Sequence, residues 1–481
     1  MTRLMARHSW HRWTARLILT GAFLLLFSST SLAAVDRSPY RSLTPWVTDL
    51  IRIDHGLAPQ LDWSAPDAPD PTELREAAYR RPAYPTEGLV EAEHMLLHYD
   101  LTDDKQVAMA AFIEENDLLD VVWDTIVGPR ATGGLAWHAP APDNGNGGDD
   151  RYDVYIDNLM YGLYGVTYAD APAGAYQYTA YTVIGDWMDE GETEVTLAHE
   201  FSHACQYAWD ALEDVWWFES PAIWIEDIVF DDVNDYTLWI YDSWRHPELP
   251  LDDPRMAYPH GIFVRWMSET FGNDIVRKIW ARAAETSVAT SIRSCRDVVN
   301  EEEGPLDWSG TLHGYHKALV DRSRFDEGDL YEKYKLGLAG TVSQYPGTIE
   351  GNVDYTAGNI VELEVLGNTD AVVTATLDGA GLVATLMMGN ETEWVDIPFE
   401  TQEGSTVMTV STGGLGQTFD RAYVVISNPA IQGSAPYTLD VAVDGWEGCE
   451  QQRVPLTSSW AMSLLVTLGL FGLGRSFRRR A

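Results

Sequence analysis

From residue 90 to about 335, apolar positions recur mostly at helical spacing, interrupted by short runs rich in β-branched and aromatic residues. Met95 to Tyr99 reads as a strand, and Gln106 to Val127 spaces Ala, Phe, Leu, Val and Trp as one helix does. Tyr152 to Asp157 and Tyr176 to Ile184 read as strands, the second shortly before a helix that is apolar at Val195, Leu197, Ala198, Phe201, Ala204 and Cys205. Further helices are predicted over 260–271, 274–286 and 311–320. Beyond 335 the helical spacing stops. Val361–Val365, Ala371–Leu377, Thr406–Val410, Ala422–Ile426 and Tyr437–Val443 alternate between turns rich in Gly and Asn, which predicts an antiparallel β-sandwich of about 110 residues. No repeat recurs at a fixed period. Residues 35–88 read as irregular, with a proline- and acid-rich stretch from Asp62 to Pro71 that resists helix and strand. This segment is either a leader or propeptide wrapping the body, or a bare linker. The pattern as a whole predicts an α+β chain.

The two ends differ from the body. Arg3, Arg7, Arg12 and Arg16 precede the apolar run Leu17–Phe27 and the small residues Ser31-Leu-Ala33-Ala34, the layout of a secretory signal peptide over residues 1–34. At the far end an uncharged apolar stretch from Val454 precedes Arg475 and Arg478-Arg-Arg480, about nineteen residues of helix that just span a bilayer with the arginines held cytoplasmic. It resembles the tripartite C-terminal sorting signals of Gram-negative bacteria. Such a tail over 448–481 is either removed by a processing protease or kept as a membrane anchor. The chain carries a net charge of −41. Residues 1–34 and 454–481 hold eight arginines and no acids, so the remainder stands near −49. That charge repels nucleic acid and anionic membrane surfaces, leaving membrane contact to the termini.

Chemistry concentrates in the long apolar helix. His199-Glu200-x-x-His203 puts two imidazoles one turn apart on one helix face, with a carboxylate between them that can reach water on a shared metal. Neutral imidazole binds zinc near neutral pH, and the carboxylate of Glu200 can take a proton from that water. A catalytic zinc needs a third protein ligand and an open position. Glu219, isolated among Trp216, Trp217 and Phe218, is the candidate; Glu226, two turns on, is a rival ligand or a partner to a histidine. Pro221 suits only the first turn of a helix, which would set Glu219 at that helix's mouth. The loop Asp143–Asp150 gathers oxygen ligands and is read as a calcium site or a solvated turn. Cys205, Cys295 and Cys449 lack metal-ligand spacing; Cys205 and Cys295 are read as a disulfide or as two buried thiols.

His199-Glu-x-x-His203 followed by Trp217-Phe-Glu219-x-x-Ala222 resembles the gluzincin metallopeptidases, the superfamily of thermolysin and the zinc aminopeptidases. More narrowly, His-Glu-Phe-x-His-x-x-Gln, the downstream Trp224-x-Glu226-Asp227, Arg151-Tyr-Asp-Val-Tyr-Ile and Tyr258-Pro-His-Gly261 are similar to a family of secreted bacterial metalloproteases. The likeness spans roughly residues 90–290, and departs where Ser220-Pro221 follows Glu219 in place of a glycine. It implies a thermolysin-like catalytic domain over 89–334, followed by the β-sandwich over 335–447. It implies zinc on His199, His203 and Glu219, Glu200 as general base, and Tyr258 or His260 beside the oxyanion. The expected function is hydrolysis of protein or peptide substrates at the surface or outside of a Gram-negative cell. The other expectation is a catalytically silent, metal-stabilised surface protein that binds partners through its sandwich.

Overall fold

The computed structural model describes residues 41–445 apart from 67, 160–161, 286–290 and 402–403. The expected signal peptide, the C-terminal tail and Cys449 lie outside the described residues. Among these residues no helix is long and apolar enough to cross a membrane.

The chain is α+β, with eleven α-helices and three five-stranded sheets among the described residues. Helices α1 (Thr44–Asp54) and α2 (Pro71–Ala78) lead into strands β1 (Glu87–Glu91) and β2 (Met95–Asp100). Helices α3 (Asp104–Glu115) and α4 (Leu118–Ile126) cross over to β3 (Tyr152–Asp157), β4 (Gly165–Pro172) and β5 (Tyr178–Gly185). These strands form a sheet in the order β1-β2-β3-β5-β4, parallel at its centre and antiparallel at both edges. Helices α5 (Glu190–Trp209) and α6 (Val215–Val229) follow, and α5 packs on β4 and β5. The short α7 (Asp242–Arg245) precedes α8 (Gly261–Phe271), α9 (Asp274–Ala284), α10 (Ser291–Glu301) and α11 (Trp308–Val320).

Asp189 starts α5 through a reciprocal capping box with Glu192, two orphan donors satisfied at once. Fifteen of its twenty residues are buried, so the helix is enclosed nearly all round rather than along one stripe. The partner helix α6 carries Pro221 in its middle, which corrects the expected start of a helix there. Proline removes one helical hydrogen bond, but the burial of Trp216, Trp217, Phe218 and Trp224 holds the helix through it. Glu219 therefore sits inside α6 and not at its mouth.

Two other expectations change, and one alternative is settled. The helix predicted over 106–127 is two helices, because Asp117 adopts left-handed backbone (φ 52°) between α3 and α4. Residues 35–88 are not irregular: the described part holds α1, α2 and β1. Asp70 caps α2 and Pro71 occupies its first turn, the one helical place where proline costs nothing. Trp46, Val47 and Leu50 of α1 are buried in the same core as α5 and α6. Cys205 and Cys295 are buried free thiols, so no disulfide joins them.

Ten strands follow: β6 (Gly340–Val342), β7 (Gly347–Asp354), β8 (Gly358–Leu363), β9 (Ala371–Asp378), β10 (Val383–Gly389), β11 (Trp394–Pro398), β12 (Glu400–Thr401), β13 (Val407–Leu415), β14 (Arg421–Ser427) and β15 (Ser434–Asp444). They form sheets ordered β11-β10-β14-β8-β6 and β12-β13-β9-β15-β7 that share one apolar core. On β9 and β15 buried and exposed residues alternate, whereas β10 is buried almost throughout. The reason is α11, which covers the outer face of the first sheet at β10 and β14. His313 and His316 of α11 both bond Ser427 Oγ, each at 2.8 Å, and Lys317 pairs with Asp396.

Burial lowers the pKa of His313 and of His316 to about 3, with a smaller push from Lys317 on His313 and from His313 on His316. Above pH 6.5 both are neutral folded and unfolded. As pH falls below 6.5 the unfolded chain takes up protons that the folded chain refuses, which costs up to about 1.4 kcal/mol per pH unit for each ring. Burial-raised Asp210 and Asp227, at about 6 and about 7, act in the opposite direction. A His313→Asn, His316→Gln double variant keeps those acids, so its Tm should decline less steeply from about pH 7 to about pH 4.5. Thermal melts across that range check this; an unchanged slope would remove the two histidines from the acid response.

Candidate metal centre

Helices α5 and α6 lie side by side and bring three potential ligands together. One ligand atom each from His199, His203 and Glu219 falls within 4.8 Å of the others, and all three residues are buried. Glu219 Oε2 lies 3.2 Å from His199 Nε2, and Glu219 Oε1 lies 3.5 Å from His203 Nε2. Mid-helix placement of Glu219 is what aims its carboxylate across the α5–α6 seam at both rings.

Each histidine is oriented from behind. His203 Nδ1 lies 2.7 Å from Gln206 Oε1, and Gln206 Nε2 donates to Phe218 O at 3.0 Å. The amide's donor is thus committed, so its oxygen accepts from His203 Nδ1–H. That leaves the His203 Nε2 lone pair facing the carboxylate. Neither His203 Nε2 nor Glu219 Oε1 has a hydrogen-bond partner. Burial, then the neighbouring His199, holds the His203 pKa well below the ordinary imidazole value, so the ring stays neutral. Two acceptors turned toward each other in a dry interior are the electrostatic complement of a cation. The donor set of two imidazoles and a carboxylate suits zinc.

His199 Nδ1 lies 2.7 Å from Glu226 Oε1. Glu226 therefore serves as partner to a histidine and not as the third ligand, the arrangement that fixes a ligating imidazole's tautomer. Burial opposes a charge on His199, but hydrogen bonds to Glu219 and Glu226 outweigh it and raise its pKa to about 9. Burial raises the carboxyl pKa of Glu219, against the pull of His199.

Glu200 projects toward β4. Its Oε2 accepts from Thr44 Oγ1 at 2.9 Å and from Thr167 Oγ1 at 2.8 Å. Strand and carboxylate approach so closely that a Cβ on Gly165 would lie 2.6 Å from Glu200 Cγ, a contact only glycine avoids. Tyr258 stacks on the His199 ring with centroids 6.1 Å apart, and its phenol interacts with the Glu219 carboxylate. Burial, then Glu219 and Glu200, raises the Tyr258 pKa well above 10, so the hydroxyl keeps its proton and can donate. His260 is not brought to the cluster. It precedes α8 as that helix's cap residue, and its Nδ1–H donates to Leu251 O at 2.9 Å, which turns the ring away.

Arg41, which sequence reasoning passed over, lies at the rear of the cluster. Its Nη1 donates to both Glu226 oxygens at 2.9 and 2.8 Å, its Nη2 to Thr196 Oγ1 at 2.9 Å, and Asp235 stands 3.1 Å away. The sequence holds no signal for that pairing across 185 positions. Gln206 was legible, one turn beyond His203 on the same helix face.

Two of the three acids of the loop 143–150 are turned to arginines: Asp143 pairs with Arg81, and Asp149 with Arg151. A second group of potential ligands, Asp227, Asp231 and Glu327, already contains Arg265, which pairs with Asp227 and Glu327.

Replacing Gln206 with Leu should strand the His203 N–H and the Phe218 carbonyl, at a cost of about 1–3 kcal/mol. Urea unfolding checks this, and an unshifted midpoint would mean that Gln206 does not hold the ring.

No family model and no curated protein matches the chain. Among solved structures, the pre-peptidase C-terminal domain of a collagenase from Bacillus anthracis is similar at 11% identity and a TM-score of 0.18, over 22% of this chain and 95% of that one. A likeness of that size carries no functional weight.

Proposed function

We propose that the chain is an exported zinc peptidase of the gluzincin type, with a thermolysin-like catalytic part. The observation that carries this reading is the facing pair of unpartnered acceptors, His203 Nε2 and Glu219 Oε1, beside His199. A zinc ion held there would polarise a peptide carbonyl and ease deprotonation of water. His199, His203 and Glu219 hold the cation; Glu226 and Gln206 fix the two imidazoles. Glu200 takes the proton of the attacking water and returns it to the leaving amine. Tyr258, still protonated, donates a hydrogen bond to the developing oxyanion. The substrate is a protein or peptide. The signal segment and the arginine-ended tail suit export to the surface or outside of a Gram-negative cell, with a processing protease acting on the tail. Net charge gives nucleic acid no purchase.

A specific observation favours a second reading. His199, His203, Glu219 and Glu200 are each exposed by 1% or less, as befits a cation that only holds the fold of a surface binding protein. Casein digestion with and without a chelator separates the two. If the peptidase reading holds, the wild-type protein hydrolyses casein and Glu200→Gln retains zinc but loses about 10²–10⁴ in rate. Undiminished turnover in Glu200→Gln would remove Glu200 from its role. In either reading, zinc at a hundredfold excess over its Kd should stabilise the fold by about 2.7 kcal/mol, and His203→Ala should abolish that gain in thermal melts.

A further inference from the structure

Residues 41–44 run along the outer edge of β4, the edge strand beside Glu200, and touch Glu226, Glu200 and Tyr258. Tyr164 N donates to Arg41 O at 2.9 Å and Leu43 N to Gly165 O at 3.4 Å, so this short stretch pairs with the sheet edge in parallel sense. Thr44 Oγ1 donates to Glu200, and the Ser42 backbone meets the Tyr258 phenol. Arg41 fills a pocket of two carboxylates, Glu226 and Asp235, roofed by the rings of Tyr164 and Trp239 at 4.7 and 5.6 Å. Adding a strand to a free sheet edge, with side chains in flanking pockets, is how extended peptides are held. Here the chain's own residues hold that place.

The hold on 41–44 differs in kind from that on the helix after it. Trp46, Val47 and Leu50 anchor α1 by apolar burial, which nothing dissolved in water replaces. Arg41, Ser42 and Thr44 are buried polar groups held by hydrogen bonds and two ion pairs. Withdrawal of Arg41 alone leaves Glu226 and Asp235 uncompensated, but an incoming peptide that supplies the same bonds restores the balance. The segment can therefore be exchanged for such a peptide while α1 beyond its first residue stays.

We propose that Arg41–Thr44 is a tethered occupant of the peptide cleft, anchored by its guanidinium, and that a substrate chain enters only when this strap is displaced. The proposal rests on the peptidase reading for its consequence, but not for its geometry. Hydrogen exchange on the full mature chain tests the geometry. The amides of 42 and 43 should exchange through an opening that leaves α5 and β5 protected. That exchange should quicken at least tenfold in Arg41→Ala and by less in Arg41→Lys, which keeps the charge but loses the bidentate fork. The same order should appear in casein hydrolysis. A synthetic peptide of residues 36–44 should inhibit Arg41→Ala, whereas its version with Arg41 replaced by alanine should not. Exchange of 42 and 43 only together with the core, or loss of hydrolysis in both Arg41 variants while the wild type is active, would overturn the strap. Faster local exchange with no hydrolysis by any variant would uphold the strap and refute the peptidase reading. Should Arg41→Ala fail to fold, the Arg41→Lys comparison decides.

Discussion

An imidazole lone pair and a carboxylate oxygen stand 3.5 Å apart at His203 and Glu219, both side chains fully buried. Everything around them serves to keep that arrangement. Gln206 spends its amide on Phe218 and so forces the His203 proton to the far nitrogen. Glu226 does the same for His199, and is itself balanced by Arg41. The linked groups Glu226–His199–Glu219–His203–Gln206 lie on the two consecutive helices α5 and α6. Removal of one member leaves its neighbour charged or unpaired in an apolar setting, which costs far more than the member contributes alone.

These linked groups could not be held by mobile supports. Helix α5 is buried on nearly all sides, and α6 is fixed by four large aromatic side chains despite its proline. Side chains in such surroundings occupy single rotamers, so the nitrogens of His199 and His203 and the oxygens of Glu219 are placed by packing. The β-region is tied to the same framework through α11, where two histidines share one hydroxyl of β14.

The local part of the centre was legible in the sequence. His199, Glu200 and His203 share a helix whose period fixes their faces, and Glu219 stood out as an acid among tryptophans. The choice between Glu219 and Glu226 turned on which side of one imidazole each would meet, and no spacing rule settles that. Pro221 misled because a propensity was read as a boundary, where tertiary burial overrode it. The contribution of residues 41–54 was invisible for the opposite reason: Arg41 and Thr44 gain their partners only once the sheet edge and both helices are assembled. Alternation identified β9 and β15, but β10 has both faces covered and its sequence Val-Ala-Thr-Leu-Met-Met-Gly does not alternate.

Gly165 bears on how this strand and helix can come together at all. The backbone of the outermost strand and the acid on the helix come so near that a single methyl group would force them apart. The reach of the Glu200 carboxylate and the seating of β4 on α5 are thereby set by one missing side chain. Any widening at that spot would loosen both together, so the two properties cannot be tuned separately by substitutions there.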